Sequence, residues 1–215
     1  MIKFLLAILL ILLAFVLFFP DQTKELFNPL EPERVIINTS NETFVNTNPV
    51  AVNTTSTKDD IDLQQLSLLV HELINKERTS RGLTPLSYDG ALQTIAEGHS
   101  EDMVNRNYFS HYSPEGLTFS DRYAQRQYSC RVPVEDVAYT GAENIAIIPL
   151  VSTYELHSGT PLSYNTLEGM AALVVDGWMK SKGHRENILK PYWSVQGIGI
   201  GVNESLDYYV TQNFC

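Results

Sequence analysis

Three polar turns carry the side chains of this sequence best suited to chemistry. The first, Ser110-His111-Tyr112-Ser113-Pro114-Glu115-Gly116, presents an imidazole and, four residues on, a carboxylate. The second, Gly141-Ala142-Glu143-Asn144-Ile145-Ala146, presents a carboxylate just before an apolar run. The third, Gly183-His184-Arg185-Glu186-Asn187-Ile188, follows an apolar helix end that carries Trp178 and precedes an alternating strand. Side chains held between regular elements are displayed by a rigid scaffold, so we expect the three turns to converge on one cleft. Two imidazoles and a carboxylate suit a borderline divalent ion such as Zn²⁺ with an open coordination position. Without a metal the same groups can bind an anion through protonated His or shuttle protons. The plainer alternative is that His111 and His184 only brace their turns and that Glu143 caps its own loop.

Other chemistry-bearing residues fit known motifs poorly. His71-Glu72 begins like the zinc-protease pattern His-Glu-x-x-His, but the fifth position is Asn75, which leaves His71 as a surface or half-buried helix residue. His99 lies on an apolar helical stripe, where a histidine is usually a satisfied core group. The run Gly197-Ile198-Gly199-Ile200-Gly201-Val202 lacks the third glycine of a dinucleotide loop and reads as a strand. There is no Gly-x-Ser-x-Gly, and nothing near Cys130 resembles an activated thiol.

The elements that must position the three turns follow from periodicity. Asp59 or Asp60 can cap a first helix from about Ile61, with Leu66, Leu69, Val70, Leu73 and Ile74 on one face and Gly82 at its end. Asp89 starts a second helix with Leu92, Ile95, Ala96, His99 and Met103 on one stripe. A short third helix covers residues 119–127, and a fourth covers residues 167–180 with Met170, Val174 and Trp178 in line. Residues 149–165 read as a surface loop with His157 near its middle. Strands at 195–202 and 208–214 are expected to pair as a hairpin, with glycines closely approached on one face and aliphatics in a core on the other. Helices first and a hairpin last argue for a layered α+β domain.

Composition bounds partners and compartment. The 215 residues suffice for one domain with appendages, and a formal net charge of -10 argues against nucleic acid as a partner. Residues 4–19 are continuously apolar after Lys3 and read as an uncleaved signal-anchor, with a cleaved signal peptide as the alternative. Lys3 keeps the N-terminus cytoplasmic, so the chain would touch the membrane only through this segment. Residues 20–59 are rich in Asn, Thr and Pro and form a linker, which places the folded domain at residues 60–215. Asn38, Asn41, Asn53 and Asn203 lie in Asn-x-Ser/Thr sequons, arising either by chance or as glycan acceptors. Outside the cell Cys130 and Cys215 are expected to form a disulfide, with unpaired or intermolecular thiols as the alternative.

In this order and spacing the residues resemble the CAP superfamily, also called the SCP domain, of cysteine-rich secretory proteins, antigen 5 and pathogenesis-related 1. The matching pieces run over residues 62–214. They are Asn75-Lys76-Glu77-Arg78, Leu86 and Tyr88, His99-Ser100 with Met103, Phe109-Ser110-His111, the Gly141–Ala146 segment, Trp178 with Gly183–Leu189, and Gly197-Ile198-Gly199. The Gly-His-Arg-x-Asn-Ile-Leu ending is that of the microbial type. The resemblance implies an α-β-α sandwich with a central antiparallel sheet and a cleft of two His and two Glu. By motif these are His111, Glu143 and His184, while the second Glu position holds Ser181. Glu115 is a candidate replacement. The resemblance further implies a binding module for a lipid, glycan or protein, with Zn or another divalent metal and no organic cofactor. The alternatives are a peptidase-like hydrolase using His111, Glu143 and His184 as catalytic groups, and a structural surface protein with a vestigial cleft.

Overall fold

The structure is a computed structural model that describes residues 61–215. The expected signal-anchor at residues 1–19, the linker at 20–59 and the sequons at Asn38, Asn41 and Asn53 lie outside the described residues. No helix among the described residues is long and apolar enough to cross a membrane.

Helix α1 (Leu63–Thr79) is capped by Asp62, whose carboxylate accepts from the amide of Gln65, and not by Asp59 or Asp60. Leu66, Val70 and Ile74, all fully buried, lie on its inner face at helical spacing. The chain passes through a short strand, β1 (Ser87–Tyr88), into α2 (Gly90–Asn105), capped by Asp89. Helix α3 (Phe119–Gln125) opens with a capping box in which Thr118 and Asp121 satisfy each other's backbone amides. Strands β2 (Val132–Val134) and β3 (Val137–Tyr139) form a small ribbon before β4 (Ala142–Pro149). Residues 149–165 are not a plain loop. They hold a second hairpin, β5 (Val151–Tyr154) and β6 (Pro161–Tyr164), whose β-branched and aromatic residues pair across a bulged register. Helix α4 (Leu167–Lys180) runs into a short helix, α5 (Lys182–Ile188), and the chain closes with β7 (Val195–Val202) and β8 (Asp207–Phe214). The segment around His184 is therefore helical, where the sequence suggested a turn.

The main sheet has the order β1-β7-β8-β4. Its three long strands pair antiparallel, and the two-residue β1 joins parallel to β7, so the sheet is mixed at one edge. One face packs on α1 and α4, through Leu66, Val70, Met170, Val174, Trp178, Ile198 and Ile200. The other face lies on α2, so the domain has three layers. That second contact depends on glycine. A Cβ at Gly199 would stand 1.8 Å from the Glu97 amide nitrogen, so helix and strand touch backbone to backbone.

Cys130 and Cys215 form a disulfide with 5.6 Å between their Cα atoms. It clips the end of β8 to the segment after α3 across 85 residues, which in the loop-entropy picture contributes about 4–5 kcal/mol. Asn203 spends both amide atoms on Asp207 in the β7–β8 turn.

Candidate functional site

The site forms at the free edge of β4. Successive side chains of a strand face opposite ways, and here the alternation separates Glu143 from Asn144. Glu143 points to the α2 layer, and Asn144 points to the α4–α5 layer. Gly141 makes the entry to β4 possible. Its φ is +117°, and a Cβ there would stand 2.8 Å from the Tyr123 ring and 2.9 Å from the Phe214 carbonyl.

Glu143 has a side chain only 1% exposed, and a buried carboxylate must be paired. Arg122 of α3 reaches its Oε2 at 2.5 Å, and His111 donates from Nδ1 to its Oε1 at 3.0 Å. Arg122 also donates to the carbonyls of His111 and Leu117, which fixes the loop that carries the histidine. Because Nδ1–H donates to the carboxylate, it is Nε2 of the neutral His111 ring that carries the lone pair. That side chain is 43% exposed, so its free nitrogen can meet a ligand.

His184 arrives from the other layer. Asn187 donates to the Glu143 carbonyl at 3.3 Å and to Asn144 Oδ1 at 3.0 Å, while Asn144 donates to the His184 carbonyl at 3.2 Å. These bonds fasten α5 across the edge of β4. The ring of His184 then stands 6.3 Å, centroid to centroid, from that of His111. Burial, and after it the proximity of His111, lowers the pKa of His184, so both effects favour a neutral ring. A hollow of about 390 Å³ opens beside the pair, lined by His111, Tyr112, Phe119, Glu143, Asn187 and Lys190 among others.

The structure thus brings His111, Glu143 and His184 together. It sends Glu115 elsewhere. That carboxylate is paired with Arg106 at 2.5 Å and accepts from Ser113, and these bonds hold its pKa down at about 2. Ser181, at the second Glu position, ends α4 and leads into α5. Among the described residues no three His, Cys, Asp or Glu side chains are grouped as a metal cluster. His111 and His184 are the two imidazoles here that could hold an ion, with Glu143 orienting His111 from behind.

Sequence reasoning missed several contributors. Arg122 sits on a seven-residue helix where periodicity has no power, though the Thr118–Asp121 capping signal marks that helix. His99, expected as a satisfied core residue, is only partly so. It is 1% exposed and donates from Nε2 to the Ser110 carbonyl, but its Nδ1 has no partner, and its Nε2 lies 3.8 Å from Glu143. A line of buried amides is also invisible in the sequence. Lys190 donates to Asn187, Asn187 to Asn144, Asn144 to Gln212, Gln212 to Gln196, and Gln196 to Nδ1 of His71. The Asn144 bond to the His184 carbonyl fixes which way every amide in the line faces. Trp178 fills core and donates to the Ile145 carbonyl, and Asn144 braces the segment that carries His184.

A three-layer α-β-α domain with two histidines flanking a buried Glu at a sheet edge defines the class. The sequence matches the CAP family, described as the cysteine-rich secretory protein family, over residues 71–214, and the chain belongs to that family. It is 32% identical over 143 residues to the uncharacterized membrane protein YlbC of Bacillus subtilis, covering 66% of this chain and 32% of that protein. It is 34% identical over 143 residues to the uncharacterized protein YkwD of the same organism, covering 66% of this chain and 44% of that protein. The chain therefore spans less than half the length of these relatives. Among solved structures, an extracellular SCP-domain protein from Bacillus anthracis is 30% identical with a TM-score of 0.50, covering 75% of this chain and 44% of that one. An outer surface protein of Borrelia burgdorferi has a TM-score of 0.53 at 16% identity, covering 72% of this chain and 94% of that one, and shares the fold.

Proposed function

We propose that this chain is an exported, membrane-tethered CAP module whose cleft takes a divalent ion or a small ligand between His111 and His184. The observation that carries the reading is the pairing of two imidazoles across the β4 edge, one of them oriented by a buried carboxylate. In this reading His111 and His184 are the ligands. Glu143 sets the tautomer of His111, and Arg122 pairs with the far oxygen of Glu143. An ion held there would act as a Lewis acid toward a carbonyl or phosphoryl oxygen of the bound partner. Export is supported by the apolar residues 4–19, by the disulfide, and by relatives whose names place them outside the cell or in a membrane. The net charge of -10 disfavours nucleic acid, and the family resemblance points to a lipid, glycan or protein as the partner class.

Calorimetric titration of the chain with Zn²⁺ tests this. One site is expected, lost in His111→Ala and in His184→Ala, and weakened roughly 10–100-fold in Glu143→Gln, where the orienting carboxylate is gone. Binding that survives both histidine changes contradicts the assignment. A second reading, a hydrolase, is favoured by the 3.0 Å His111–Glu143 hydrogen bond, which is the geometry of a general base with its orienter. Peptide or ester turnover that vanishes in Glu143→Gln would support it, and turnover unchanged in that variant would exclude it.

A further inference from the structure

The β5–β6 hairpin ends in an exposed apolar tip. Leu156, in the turn, is 92% exposed, and Tyr154, Leu162 and Tyr164 are exposed beside it. Charge is nearly absent. In a chain of net charge -10, Glu155 is the only Asp, Glu, Lys or Arg among residues 149–165, and it accepts from Ser158 inside the turn. The polar side chains of the ribbon are engaged with one another, Ser152 and Thr153 with Ser163. A turn that faces water is ordinarily built from polar residues and Gly. A cluster of leucines and tyrosines in that place marks a contact surface.

The sheet shows where this tip lies. Pro149 pairs with Asp207, and the Leu150 amide donates to the Leu206 carbonyl in the β7–β8 turn. The hairpin thus leaves from the end of the sheet where β4 stops and β8 starts. Helix α1 starts at that same end, because Leu63 and Val202, the last residue of β7, line one small hollow. The helix finishes at the opposite end, where Arg78 donates to the carbonyls of Ile188 and Lys190 beside the cleft. The apolar residues 4–19 are therefore joined to the domain at the hairpin's end. Glu143 and Pro149 lie on one strand, about 20 Å apart at roughly 3.4 Å per residue, so the cleft is toward the other end.

We propose that the β5–β6 tip docks on the lipid bilayer that holds residues 4–19. Leu156 enters the acyl boundary, Tyr154 and Leu162 lie at headgroup level, and the His111–His184 cleft is turned away from the membrane. This rests on the membrane-tethered reading above. Lipid fits the tip because tyrosine joins an apolar ring to a hydroxyl, the type enriched where hydrocarbon meets water. The lack of acidic side chains spares it repulsion from anionic headgroups. A few apolar side chains hold a bilayer weakly, since even one acyl chain binds only marginally. The tether supplies the effective concentration that makes the contact persist.

The full chain in phosphatidylcholine nanodiscs tests this, with the fluorophore NBD on Leu156→Cys and, as a control, on Lys182→Cys in α5, whose side chain is 84% exposed. The probe at 156 is expected to emit blue-shifted light and to be quenched by doxyl-labelled lipid, while the probe at 182 stays water-like and unquenched. Leu162→Asp, an exposed change, should reduce the quenching at 156. Unaltered quenching there shows that the fluorophore and not the hairpin seeks the lipid, which overturns the proposal. A blue shift without quenching means that protein covers the tip, and it overturns the proposal too. A chain that stays with the discs but gives a water-like signal at 156 removes this inference and leaves the tether standing. A chain that does not stay with the discs removes both.

Discussion

Glu143 carries the most constrained charge in the site. Its carboxylate is shared between a guanidinium at 2.5 Å and an imidazole at 3.0 Å in a setting almost free of water. Removing one partner of such a pair leaves an uncompensated buried charge, which costs more than the pair itself contributes. Arg122→Ala should therefore destabilise the domain by about 3–5 kcal/mol, measured by urea unfolding. It should also release the His111 loop, since the bonds to the His111 and Leu117 carbonyls go with the side chain. A loss below about 1 kcal/mol, the range of exposed pairs, would show that the pair is solvated. His111, Glu143 and His184 were legible as polar groups beside apolar runs, although Glu143 lies in β4 and His184 in α5 and not in turns. Arg122 was not legible, because an arginine on a short polar helix looks like any solvated surface residue until the fold turns it inward.

At the scale of elements, the site is an outcome of strand alternation and of one unusually close helix–sheet contact. The Gly-Ile-Gly-Ile-Gly pattern of β7 foretold that contact, and α2 is the element that fills it. Gly199→Ala puts a Cβ into the Glu97 backbone, where no rotamer change can relieve it. The expected loss is about 3 kcal/mol or more by thermal or chemical denaturation, at the upper end of overpacking effects. A near-neutral result would mean that α2 can slide away from the sheet. Elements with strong periodicity, α1, α2, α4, β7 and β8, were legible for this reason. The β5–β6 hairpin and helix α5 were not. Both are short, and their residues acquire a definite state only through partners, such as the Asn187 bonds to β4. The same limit hid the amide line from Lys190 to His71, because Gln and Asn scattered over several elements carry no local signal of shared burial.

Over the whole molecule, three histidines have lowered pKa values. Burial is the leading cause at His71, His99 and His184. A lowered folded-state value means that the unfolded chain binds the proton first. Stability is then fully present above the ordinary histidine value of about 6.5 and falls as the pH drops below it toward the folded values. The melting temperature should decline between pH 7 and pH 5, and less steeply in His71→Gln, which removes a ring whose two nitrogens both face amide donors. A flat profile over that range would contradict the burial assigned to these rings. The same three-layer packing sets the central geometry, since His111 belongs to the α2 side and His184 to the α4–α5 side of one sheet. The most direct measurement is a crystal soaked in Zn²⁺ and recorded at the zinc absorption edge. One anomalous peak between His111 Nε2 and the His184 ring, with Glu143 still on His111 Nδ1, is the predicted result. A peak bound elsewhere, or none at saturating zinc, would contradict the assignment of this cleft as the site of binding.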